Sequence, residues 1–215
     1  MKAKLIGIVG YDGVNALDIA GPAEAFASAV IGKSDGNAAP QYGYKIVIIA
    51  ATAKPFTSES GVVLKPHTTF QNAPALDTLI VPGGAVLRRA EGNTKMSAWI
   101  KERAEHIRRI ASACTGIYAL APTGLIDKRR VTTHWRHARD LARRFPKLKV
   151  DPDALFINDG KFYSSAGITA GIDLSLALIE EDYGAGVSLS VARELVVYLK
   201  RSGGQEQFSE PLAGC

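Results

Sequence analysis

The chemistry-bearing residues of this 215-residue sequence gather around one internal cysteine. Cys114 stands in Ala111-Ser112-Ala113-Cys114-Thr115-Gly116, a thiol among small residues where a β-branched run gives way to a helical pattern. A tight strand-to-helix turn holds a nucleophile out of the backbone, and small neighbours are needed because the turn is crowded. Such an elbow predicts a strained, positive φ at the cysteine. A helix N-terminus beside it favours the thiolate, so the expectation is a solvent-reachable thiol more acidic than free cysteine. The competing reading is a small buried hydrophobe. Asp18, in Leu17-Asp18-Ile19-Ala20-Gly21-Pro22, could cap the first helix, or bring a carboxyl to the same edge and share a proton with the sulfur. His134, in Thr132-Thr133-His134-Trp135, is either a candidate base or a satisfied structural histidine. Backbone N–H groups of Gly84 and Thr115 are the candidate oxyanion donors and ligand contacts.

These residues need elements to bring them together. Short β-branched runs alternate with helical patterns over 5–9, 17–30, 45–50, Thr78–Val81 and 96–105, the rhythm of βαβ units around a largely parallel, doubly covered sheet. Two strands end in small-residue turns, one at Pro82-Gly83-Gly84 and one, over 109–113, at Cys114-Thr115-Gly116. Ligands of open α/β sheets sit outside the carboxyl ends of such strands. Further on, the patterns predict a small apolar helix over 117–123, a short strand over 130–133 and a helix over 138–145 stopped by Pro146. A hairpin over 156–164 turns at Asp159-Gly160. Helices follow over 170–181 and about 188–200, the last with Val191, Leu195, Val196 and Leu199 on one side. The polar, glycine-containing stretch 201–208 reads as a linker.

Composition sets the outer bounds. With 47% hydrophobic and 22% charged residues, the chain can bury a core without disulfides or a structural metal, as one compact domain. The four histidines, His67, His106, His134 and His137, and the two cysteines, Cys114 and Cys215, lack metal-ligand spacing, and neither a metal nor another cofactor is expected. No apolar run approaches the ~20 residues of a membrane span, and the stretch 5–9 is too short for a signal segment, so a cytoplasmic protein without membrane contact is expected. The net charge of +5 is concentrated in 128–149, where nine Lys/Arg face the single acid Asp140. Such a face is more often solvated than a nucleic-acid reader, and no specific DNA binding through it is expected.

The ordered series Asp18-Ile19-Ala20-Gly21-Pro22, Val81-Pro82-Gly83-Gly84, Ala113-Cys114-Thr115-Gly116, Thr132-Thr133-His134-Trp135 and Ser165-Ala166-Gly167 with Gly171-Ile172-Asp173 resembles the DJ-1/PfpI superfamily. Within it, the sequence is most similar to the N-terminal domains of AraC-family transcription regulators. The run Val191-Ala192-Arg193-Glu194-Leu195, followed by Arg201-Ser202-Gly203-Gly204-Gln205-Glu206-Gln207-Phe208, resembles the segment that joins that domain to a helix-turn-helix module. The resemblance implies a flavodoxin-like, doubly wound, class I glutamine-amidotransferase-like fold. It also implies a ligand-sensing and dimerisation domain over 1–200, and a linker over 201–215 toward a C-terminal helix-turn-helix domain absent from this chain. On that reading the partners are a small effector, nitrogenous or amino-acid-like, a second copy of the chain, and DNA only through the missing domain. The same Asp and Cys pattern occurs in isonitrile hydratases, which leaves a cysteine-dependent hydratase or hydrolase as the alternative. Amidase, glyoxalase-like and chaperone-like members of the superfamily are the remaining readings.

Overall fold

Seven strands build the central sheet of the computed structural model, which describes residues 2–32, 39–89, 94–199, 201 and 204–205. They are β1 (Lys4–Gly10), β2 (Tyr44–Ala50), β3 (Thr68–Thr69), β4 (Thr78–Val81), β5 (Arg109–Ser112), β6 (Phe156–Asp159) and β7 (Phe162–Ser165), in the spatial order β6-β7-β5-β4-β1-β2-β3. All neighbours are parallel except β6 and β7, which form the expected hairpin with Gly160 at φ 68 in its turn. The order grows outward from β1 in two directions, toward β2 on one side and β4 on the other. The crevice between β1 and β4 is therefore the topological switch point where α/β sheets bind ligands.

Alternation along the strands explains the two helical layers. Ile6, Ile8, Ile80, Ala111 and Tyr163 face α1 (Ala16–Ala27), α5 (Ala170–Tyr183) and α6 (Ala185–Glu194), packing on Ile19, Phe26, Leu174, Ile179 and Val191. Val9, Leu79, Val81, Ile110 and Phe162 face the other way, onto Trp99 and Ile100 of α2 (Thr94–Arg103), Ile117 of α3 (Ile117–Leu120) and Leu141 of α4 (Ala138–Arg144). Each large side chain so buried contributes about 1.5–3 kcal/mol, which fixes the register of the sheet. At the end of the sheet opposite the switch point, the buried Arg109 guanidinium staples β5 to α5 through Asp182, Nη2 to Oδ2 at 2.6 Å. The Tyr44 hydroxyl donates to the same carboxylate at 2.8 Å.

One expectation fails near the C-terminal end. The closing helix, expected over about 188–200, is α6, which starts at Ala185 and stops at Glu194. Its end is set by Val196 in the left-handed region at φ 54, which lets the Val197 N–H return to the Ala192 carbonyl at 2.9 Å. That closure satisfies the last carbonyls of the helix. Val196, expected on the buried side, is 90% exposed. In the stretch expected as a linker, Arg201 pairs with Asp173, and Gln205 is only 2% exposed. Lys200, Phe208 and Cys215 lie outside the described residues. The strand expected over 130–133 is shorter, Arg130–Val131, and pairs with Lys149–Val150 in a separate two-stranded ribbon.

Candidate functional site

Cys114 follows β5 at the carboxyl edge of the sheet with φ 53, the positive value that the crowded elbow requires. Its N–H donates to the Ala166 carbonyl at 3.1 Å, and its carbonyl accepts from the Thr133 hydroxyl at 2.8 Å. The cysteine peptide is thus suspended between two loops. Gly116 is what allows this turn to approach β4, because a Cβ there would lie 1.9 Å from the Val81 carbonyl oxygen. Backbone against backbone cannot give way. The sulfur-bearing residue is 8% exposed and lines a cavity of about 190 Å³ with Arg88, Glu59, His134, His137 and Ile168.

Asp18 is brought to the same place by α1. It does not cap that helix, because Asn15 does so, accepting from the N–H groups of Leu17 and Asp18. Asp18 is fully buried, and its Oδ2 accepts the Gly83 N–H at 2.8 Å. Its Oδ1 has no hydrogen-bond partner among the described residues. Asp18 Oδ2 and Cys114 Cβ both lie 2.8 Å from the point a Cβ on Gly83 would occupy, so carboxyl and thiol meet across that glycine. Burial lifts the Asp18 carboxyl from its ordinary 3.8 to about 7, against the Gly83 hydrogen bond and with some help from Glu59. The expected acidic thiol is not found: burial first, and the Asp18 charge second, push Cys114 up to about 12. Backbone N–H groups of Ile168 and Thr115 oppose this without reversing it. Taking an anion out of water next to another carboxyl outweighs the pull of a short helix terminus.

Two further expected site groups are engaged elsewhere. His134 does border the Cys114 cavity, but its Nδ1 accepts the Arg136 N–H at 3.2 Å. The neutral ring then carries its proton on Nε2, so it presents a donor and holds no lone pair for a base. Burial, with Arg136 nearby, also lowers its affinity for a second proton. The Gly84–Thr115 oxyanion pair is not assembled either. The Gly84 N–H donates to Thr115 Oγ1 at 2.9 Å, that hydroxyl lies 3.2 Å from the Gly84 carbonyl, and the Thr115 N–H is turned to the Cys114 sulfur.

Several residues at the site carry no sequence signal. Tyr11 is held by its hydroxyl on the Pro82 carbonyl at 2.8 Å, where burial and the charges of Asp18, Cys114 and Glu59 keep it protonated. Glu59 reaches in from a hairpin loop and accepts the Ala85 N–H at 2.5 Å. Ile168 adopts φ 49, which no propensity argument assigns to a β-branched residue. Burial, then Arg88, bring His137 down to about 4, so that it is neutral at physiological pH. Five of the nine cations of the basic stretch meet acids the fold supplies. Arg129 meets Asp159, Arg130 meets Asp151, Lys147 meets Asp127, and Arg143 and Arg144 share Asp140. Among the described residues there is no cluster of metal-ligating side chains, and no helix is long and apolar enough to cross a membrane.

A buried cysteine on a positive-φ elbow, a carboxyl beside it and a parallel sheet with its switch point above them define a cysteine-elbow α/β protein. The DJ-1/PfpI family model matches residues 4–181, and the chain belongs to that family. Isonitrile hydratase of Pseudomonas putida is 32% identical over 190 residues, 88% of this chain and 77% of that protein. The HTH-type transcriptional regulator GbdR of Pseudomonas aeruginosa is 30% identical over 155 residues, which is 72% of this chain but only 41% of the regulator. An AraC family transcriptional regulator from Pseudomonas putida, whose crystal structure covers 90% of this chain and is itself covered completely, has a TM-score of 0.74 at 19% identity, a likeness in fold.

Proposed function

We propose that this chain is the effector-sensing and dimerising domain of an AraC-type regulator, and that it binds a small ammonium carboxylate beside Cys114. The observation that carries the reading is the state of the elbow. Its thiol is pushed up to about 12, the nearby histidine has spent its lone pair on backbone, and the Gly84 donor is engaged. Such a site favours holding a molecule over attacking one. The cavity wall carries a guanidinium and a carboxylate, Arg88 and Glu59. Arg88 Nε is buried with no hydrogen-bond partner among the described residues, as a group awaiting an anion would be. In this reading the protein is a cytoplasmic homodimer with twofold symmetry. DNA is bound by a C-terminal helix-turn-helix domain beyond these residues, since the cations of 128–149 are mostly paired.

A second reading has its own support. The 32% identity to an isonitrile hydratase spans 88% of the chain, and an Asp18 carboxyl near 7 can hold a proton for a carbon centre. That reaction adds water to R–NC and gives R–NH–CHO. Calorimetric titration with a panel of small ammonium carboxylates, alongside NMR of an alkyl isonitrile incubated with the chain, separates the two. Saturable binding without formamide is expected. Catalytic formation of the N-alkylformamide would replace the sensor by the enzyme.

A further inference from the structure

We propose that Gln205 is a plug whose docking is coupled to occupancy of the Cys114 site, so that filling the site undocks Gln205 and Arg201. The inference rests on the sensor reading, for which such a release would be the output. Gln205 sits in a specific socket. Its Oε1 accepts the Trp135 N–H at 2.8 Å, and its Nε2 lies 3.0–3.2 Å from Thr132 Oγ1 and the carbonyls of Thr133, Pro152 and Ala154. Its own N–H donates to the Asp153 carbonyl at 2.7 Å. Burying a neutral amide this completely is favourable only while those partners stay aligned, because each lost bond leaves a desolvated polar group.

The partners belong to the machinery of the elbow. Thr133, whose carbonyl accepts from Gln205, uses its hydroxyl to hold the Cys114 carbonyl. The second anchor, Arg201, bonds both oxygens of Asp173 at 2.9 and 2.5 Å, and its Nη2 lies 3.4 Å from Thr169 Oγ1. Thr169 adjoins Ile168, the positive-φ residue whose N–H faces the Cys114 sulfur. The two loops also touch. A Cβ on Gly167 would fall 2.1 Å from His134 Cδ2, so the imidazole lies directly on that backbone.

His134 and Ile168 line the 190 Å³ cavity at Cys114, and they also line a second cavity of about 260 Å³ bounded by Arg201 and Gln205. One wall thus serves both spaces. A ligand on the Cys114 side that displaces this wall shifts Thr133 and Thr169, the residues that hold Gln205 and Arg201. By thermodynamic linkage, docking of Gln205 alters the affinity of the Cys114 site for its ligand by the same factor.

The test is hydrogen exchange at the Gln205 amide, read by mass spectrometry on the full 215-residue chain. Cys114→Met fills the cavity from the sulfur position, whereas Cys114→Ala leaves it open. Exchange about tenfold faster in Cys114→Met than in wild type or Cys114→Ala is expected. Equal exchange in all three overturns the coupling. The reciprocal arm keeps the proposal falsifiable if Cys114→Met does not fold. In a Cys215→Ser background, Gln205→Ala should change the rate of Cys114 alkylation by iodoacetamide severalfold with the melting temperature held, and an unchanged rate refutes the plug. Ammonium carboxylate binding with unchanged Gln205 exchange refutes the plug alone. Isonitrile turnover with accelerated exchange refutes the sensor alone.

Discussion

Replacing Asp18 by asparagine is expected to flatten the dependence of stability on pH. The side chain is fully buried, and burial raises its proton affinity from the ordinary 3.8 to about 7. Ionising it inside the fold therefore costs about 4 kcal/mol more than ionising it in the unfolded chain, at about 1.4 kcal/mol per tenfold change in affinity. The folded state binds this proton more tightly than the unfolded state. The stabilisation is then fully present below the unfolded value and is lost as the pH rises toward about 7. The asparagine side chain would keep an oxygen for the Gly83 N–H, which now reaches Asp18 Oδ2 at 2.8 Å, and would place an uncharged NH₂ where Oδ1 has no partner among the described residues. Urea denaturation of both proteins from about pH 4 to about pH 8 measures the difference directly. Near pH 4 the two should be similarly stable, and near pH 8 Asp18→Asn should be the more stable by up to about 4 kcal/mol. Parallel stability curves across that range would refute a buried, proton-holding carboxyl beside the elbow.

In a Cys215→Ser background, Cys114 alkylation should still be accelerating above about pH 9, because burial and Asp18 hold the thiol up to about 12. A plateau near neutral pH would show an acidic thiolate instead. Gly116→Ala places a Cβ 1.9 Å from the Val81 carbonyl oxygen and should cost about 3 kcal/mol or more, a fall in Tm of about 6–12 °C. A Tm within error of wild type would remove the close approach from the argument. Arg109→Met leaves the buried Asp182 carboxylate with only Arg108 and the Tyr44 hydroxyl and should cost about 3 kcal/mol in urea denaturation. Fluorescence anisotropy of this chain with any duplex DNA should show only weak retention that is lost at ~150 mM salt, given the ion pairs of the basic stretch. A sequence preference surviving that salt would make this face a DNA reader.

The order and kind of the elements were legible in the sequence because each depends on near neighbours. Strand runs ending in Pro82-Gly83-Gly84 and at Cys114, the turn at Asp159-Gly160 and the positive φ of Cys114 follow from local periodicity and steric crowding. Asp18 and Cys114 could also be placed at one edge, since both follow strands of a parallel sheet whose carboxyl ends point the same way. The chemical state of the site was not legible. Whether Cys114 ionises depends on how much water the surrounding loops exclude and on the Asp18 charge beside it. Which nitrogen of His134 carries the proton depends on the Arg136 N–H, and whether Gly84 has a donor to offer depends on Thr115, thirty-one residues away. The end of α6 and the docking of Gln205 likewise turn on Ala192 and on Thr132, Thr133, Pro152 and Ala154. Sequence patterns specify what each segment prefers by itself. Proton affinities, free donors and docked side chains are properties of groups brought together from distant segments, and only the packed tertiary structure sets the dielectric and the partners that decide them.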